Sequence, residues 1–174
     1  MSNPSQTAGP AELSNYCYDE IEIGQSVVVE RYVSADDIAL FATLSGDLNP
    51  VHLDADYAAD TPFGKPIAHG MFCGALISAT VAMNFPGPGS IYRSQVIKFS
   101  KPVFIGDTLS IEVMVTEKQD RLKLLTLACK VKNQQGKTVA SGEAGVIAPA
   151  EKVTIATAQL PSVTIDSRPY QRGV

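Results

Sequence analysis

Apolar and polar positions along the chain fall into two periods with a break between them. A turn at Gly24-Gln25 leads into a β-rich run over 26–33, which predicts a first strand. Ser34 then precedes Ala35, Asp36 and Asp37 as a capping box would, and Ile38, Phe41 and Ala42 recur at helical spacing up to Gly46. That spacing predicts a short amphipathic helix. Residues 47–68 keep neither period. They are rich in Asp, Pro and Gly, with room for a helical turn or two near 55–59, and so predict a long structured loop of the kind that usually carries function.

From 70 to 85 the chain is apolar on every side, with small residues at Gly74, Ala75, Ser78, Ala79 and Ala82, until Pro86-Gly87-Pro88-Gly89 stops it. Such a helix needs wrapping. Candidate strands follow at 90–100, 108–116, 121–132 and 138–147, divided by turn signals at Gly106-Asp107, Gln119-Asp120 and Gln135-Gly136. Leu109, Ile111, Val113 and Val115 alternate with Ser110, Glu112 and Thr116, as in an antiparallel strand with one packed and one wet face. The prediction is an α+β fold, a curved antiparallel sheet wrapped round a long central helix. The tail over 149–174 shows no period and reads as a linker or surface-hugging extension; residues 1–15 read as a flexible lead-in, and 16–148 as the folded domain.

A length of 174 residues suits one core, and a net charge of −4 with 18% charged residues argues against a nucleic-acid partner. The start lacks the basic and apolar regions of a signal peptide, and the longest apolar stretch, 71–83, falls short of the roughly 20 residues that span a bilayer. No membrane association is expected. Cys17, Cys73 and Cys129 are odd in number and widely spaced, which fits reduced thiols in a cytoplasm better than a disulfide framework.

The stretch "GDLNPVHLDADYAADTPFGKPIAHG", 46–70, holds both histidines of the chain. Asn49-Pro50 forces an extended or turning backbone between Asp47 and His52, so the loop can aim both side chains at one point. A carboxylate beside an imidazole is equipment for moving a proton to or from water. His69-Gly70 stands at the start of the apolar helix, where N–H groups lack intrahelical partners and Gly70 lets a carbonyl approach the backbone. Plainer readings stay open: an Asx-type turn with a surface histidine for 47–52, a capping or packing role for His69, and tight helix packing for Gly70. Asp47, His52 and His69 could also ligate a metal by residue type, although no HxxxH or HxH pair is present and no metal is expected.

The run "DIALFATLSGDLNPVHLDADYAADTPFGKPIAHGMFCGALIS" followed by "GPGSIYRSQVIKFSKPVFIGDTLSIEVMV" resembles the MaoC-like, (R)-specific enoyl-CoA hydratases of the hot-dog fold, over about 18–148. The resemblance implies that Asp47 and His52 activate a water that adds to C3 of a trans-2-enoyl thioester while C2 receives a proton. It further implies that Gly70 supplies an N–H to the thioester oxygen, that Asn49 orients the loop, and that Ser78 lies near substrate, with Val81 and Met83 setting pocket depth. Coenzyme A enters as part of the substrate, with no separate cofactor. Its phosphates need cations, for which Arg93, Lys98 and Lys101 are the nearest candidates. A homodimer joined edge to edge is implied as well. The tail, "VIAPAEKV" then "LPSVTI", is similar to the junction in bifunctional proteins that continue into a phosphate acyltransferase.

Two other functions compete. A hot-dog acyl-CoA thioesterase would need an acidic residue on or near the central helix, and 71–83 has no Asp or Glu; a non-catalytic acyl-CoA sensor would have lost Asp47 or His52.

Overall fold

The computed structural model describes residues 11–160 and 163–164. A short strand, β1 (Glu12–Ser14), and a 3-10 turn lead to β2 (Ser26–Tyr32) and α1 (Ala35–Ser45). The crossing segment holds two short helices, α2 (Pro50–Leu53) and α3 (Ala55–Ala59), before the central helix α4 (Gly70–Met83). Strands β3 (Ile91–Phe99), β4 (Thr108–Gln119), β5 (Leu124–Lys132) and β6 (Thr138–Ile147) complete the domain, and β7 (Thr154–Ala156) follows. The main sheet runs β2-β4-β5-β6-β3, antiparallel throughout.

The alternation read from the sequence sets which face is buried. Leu109, Ile111, Val113 and Val115 on β4 and Leu125, Leu127, Cys129 and Val131 on β5 meet Phe72, Cys73, Ile77 and Val81 of α4 in one core. The sheet curls tightly enough at β3 and β6 that a Cβ on Gly142 would lie 1.9 Å from the Val96 carbonyl oxygen, so only glycine fits there.

α4 is wrapped on one side only. Met71, Ala75, Ser78, Ala79, Ala82 and Met83 stay exposed, although the sequence pattern called for cover all round. Three elements carry no sequence period. α2 is one turn, started by Pro50 at its first position and by Asn49, whose Oδ1 accepts from the Val51 N–H at 3.2 Å. β1 and β7 are three residues each and pair with one another, bringing the end of the expected lead-in against the expected extension. Asn15, 1% exposed, locks the pair by donating to the Glu151 carbonyl and accepting from the Val153 N–H. The rest of the lead-in (1–10) and most of the tail (161–162, 165–174) lie outside the described residues.

Candidate active site

Capping and turn chemistry aim the loop. Ser34 and Asp37 form a reciprocal capping box, and Asp37 also pairs with Arg31 at 2.6 Å, which fixes where α1 begins. Gly46 ends the helix in the left-handed region at φ 74°, and its N–H reaches the Ala42 carbonyl. Asp47 thus leaves the helix at a sharp angle, with its Oδ1 accepting from the Asn49 N–H at 3.2 Å. α2 then carries His52 back toward it.

The two side chains face one another. His52 Nε2 lies 3.8 Å from Asp47 Oδ2, too far for a hydrogen bond and close enough for one water to bridge. The other ring nitrogen, Nδ1, is 2.8 Å from the Ile67 carbonyl, which can only accept; Nδ1 therefore carries the proton and Nε2 keeps its lone pair in the neutral ring. Segment 67–68 is itself held, by Ile67 N–H to the Val51 carbonyl and Ala68 N–H to the Val103 carbonyl. His52 is mostly buried and Asp47 about half exposed, so a ring held in place looks outward at a solvent-facing carboxylate.

Beside them a cleft of about 370 Å³ runs along the start of α4, lined by His52, His69, Gly70, Cys73, Phe99 and Lys101 among others, with an apolar wall. Gly70, exposed at the first position of α4, faces the Phe99 ring, and a Cβ there would approach it to 3.4 Å. Its N–H has no acceptor within the helix. Cys73 offers no nucleophile at neutral pH, because burial pushes its thiol up to about 11.

Asp47, His52 and His69 place ligand atoms within 4.8 Å of one another. The two imidazoles are stacked, however, with centroids 3.8 Å apart and planes 29° apart. An imidazole lone pair lies in the ring plane, so one ring would have to leave the stack before both could bind one ion, and the arrangement fits proton transfer better than metal chelation.

Residues 20–144 match the MaoC-like domain. The chain belongs to the MaoC-like domain family. Within it, the chain is 43% identical over 141 residues to the (R)-specific enoyl-CoA hydratase of Rhodospirillum rubrum, covering 80% of this chain and 96% of that one. It is 40% identical over 118 residues to the 3-hydroxybutyryl-CoA dehydratase of Methylorubrum extorquens, covering 68% and 75% respectively. Among solved structures, an unliganded R-hydratase from Pseudomonas aeruginosa superposes with a TM-score of 0.86 at 46% identity, over 89% of this chain and 99% of that one. The α+β hot-dog architecture expected from the sequence is thereby shown.

The MaoC-like chain gathers some of the residues singled out from its sequence and separates others. His52 and Gly70 line the cleft at the start of α4, Asp47 faces His52, and Asn49 caps α2 between them. Lys101 lines the cleft. Arg93 instead borders a hollow of about 330 Å³ on the opposite face of the sheet, with Leu122 and Glu143, and Lys98 shares that outer face with Ser141 and Lys130 in register. Straight alternation back from Phe99 would have put Arg93 inward; a register shift between Tyr92 and Ser94 turns it out. Ser78 lies on the exposed side of α4, Val81 is 1% exposed in the core, and neither lines the cleft. Two contributors carried no sequence signal: the Ile67 carbonyl, because every residue has one, and Phe99, whose side depends on sheet curl. His69 does not cap α4 with its side chain.

Proposed function

We propose that this chain adds water to trans-2-enoyl-CoA to give (R)-3-hydroxyacyl-CoA, and catalyses the reverse dehydration. The observation that carries the reading is the His52 Nε2 lone pair 3.8 Å from the Asp47 carboxylate, close enough for both to hold one water lying beside them, near the N-terminus of α4. A water held there gives its hydroxyl to C3 and one proton to His52 Nε2, with Asp47 steadying the imidazolium. The electron pair displaced from the double bond moves to the thioester oxygen, where the Gly70 N–H stabilises the enolate. The proton returns from the pair to C2, so H and OH are added and the site ends as it began. The names and sequence identities of the relatives support the CoA thioester and the (R) product.

Lys101, at the cleft, is the cation assigned to the coenzyme A phosphates. A second copy covers the exposed side of α4 and the free edge of β3, where Ile91 is 56% and Phe99 51% exposed. Three unpaired cysteines suit a reducing cytoplasm, and among the described residues no helix is long and apolar enough to cross a membrane.

The test is loss of enoyl-thioester absorbance when purified protein meets crotonyl-CoA, with free thiol followed in the same sample. Absorbance loss without thiol release, and formation of the (R) alcohol, is expected. Thiol release would replace the hydratase by a thioesterase. Unchanged crotonyl-CoA and unchanged longer enoyl-CoA would leave acyl-CoA binding without catalysis.

A further inference from the structure

His69 is 3% exposed, sits between α4 and the Asp47 loop, and does nothing in the chemistry just described. Its Nε2 lies 2.9 Å from the backbone carbonyl of Asp47. A carbonyl cannot donate, so Nε2 carries the proton, and the neutral ring leaves a bare lone pair at Nδ1, which is buried and has no hydrogen-bond partner. One face of the ring lies against His52, and Phe41 packs near it with centroids 5.1 Å apart.

An unsatisfied buried nitrogen costs stability, and a leucine or phenylalanine would fill the same space without that cost. The two contacts that a hydrocarbon could not both provide each touch one member of the proton-moving pair. The Nε2–H grips the main chain of Asp47, and the ring face backs the imidazole of His52. One rigid side chain at the start of α4 therefore sets the spacing between carboxylate and base. That linkage also ties both groups to the helix whose first N–H meets the substrate oxygen.

We propose that His69 is a positioning residue, held as the neutral Nε2–H tautomer, that clamps Asp47 and His52 in register with the N-terminus of α4. The kinetic part of this inference rests on the hydratase reading; the tautomer part does not. Misplacement of a reacting group by about 1 Å costs on the order of 10²-fold in rate, so the clamp acts on kcat and leaves binding to the cleft walls.

The chain has two histidines, which makes the first measurement simple: a long-range ¹H–¹⁵N spectrum of the imidazoles in tag-free native protein, at a pH where both rings are neutral. The expected result is one ring protonated at Nε2 (His69) and the other at Nδ1 (His52), assigned with His69→Gln. A proton on His69 Nδ1 would overturn the proposal. The second measurement compares crotonyl-CoA kinetics of His69→Phe, which keeps a ring and loses the donor, with His69→Gln, which keeps a donor. His69→Phe should lose about tenfold or more in kcat with KM within about twofold, and His69→Gln should recover much of that loss. Full kcat in His69→Phe, equal loss in both variants, or a change confined to KM would each overturn the clamp. If native protein shows the expected tautomers and leaves crotonyl-CoA untouched, the hydratase reading fails and the tautomer assignment stands. Should His69→Phe not fold, the native spectrum decides.

Discussion

Replacing Asp47 by asparagine removes one charge and almost nothing else. The Asn49 N–H keeps an oxygen to donate to, and the side chain is 53% exposed, so the fold loses no packing. What disappears is a negative charge 3.8 Å from His52 Nε2 when that nitrogen takes the water proton. Coulomb's law at that separation gives about 1 kcal/mol at the dielectric of water and about 4 kcal/mol at an effective value near 20. A half-exposed carboxylate facing a mostly buried ring falls between these, near 3 kcal/mol, or about 10²-fold in rate. Asparagine also gives up the carboxylate's hold on the water, which acts in the same direction. Asp47→Asn should therefore lower kcat and kcat/KM together by about 10²-fold or more on crotonyl-CoA, with unfolding transitions matching native protein. A variant with folding intact and turnover within about threefold of native would refute the assignment of Asp47.

His52→Ala should cost about 10²-fold or more in turnover, and the double variant with Asp47→Asn should be about as slow as the worse single one, because the pair acts as a unit. Gly142→Ala should destabilise by about 3 kcal/mol, since its Cβ collides with the backbone oxygen of Val96; a change below about 1 kcal/mol in denaturant unfolding would refute the close approach. Burial raises the thiols of Cys73 and Cys129 from about 9 to about 11. Their contribution to stability is thus full below about pH 9, where unfolded thiols stay protonated, and is lost as pH climbs through about 11; flat stability across that window would refute it. The same burial should let only Cys17 react readily with a thiol reagent in native protein, and all three cysteines after denaturation.

Much of this protein was determined locally. The capping box at Ser34, the stop at Gly46, the alternation of β4 and the Pro-Gly run after α4 are matters of period and turn chemistry, which act between near neighbours and so can be read along the chain. The residue types gathered at 47–70 likewise pointed to one place, where Asp47 and His52 come to face each other, and α4 appeared with its correct start. Tertiary structure decided the rest, because it depends on partners without sequence signatures. The proton on His52 is set by a carbonyl fifteen residues away, and that of His69 by another twenty-two residues away. A single bulge sent Arg93 to the far face of the sheet while leaving Lys101 at the cleft. β1 found β7 across nearly the whole chain, in strands too short and exposed to show a period. The apolar pattern of α4 promised cover on every side, and the fold of one chain supplies it on one, because a helix against a single sheet can bury only the stripe that faces it.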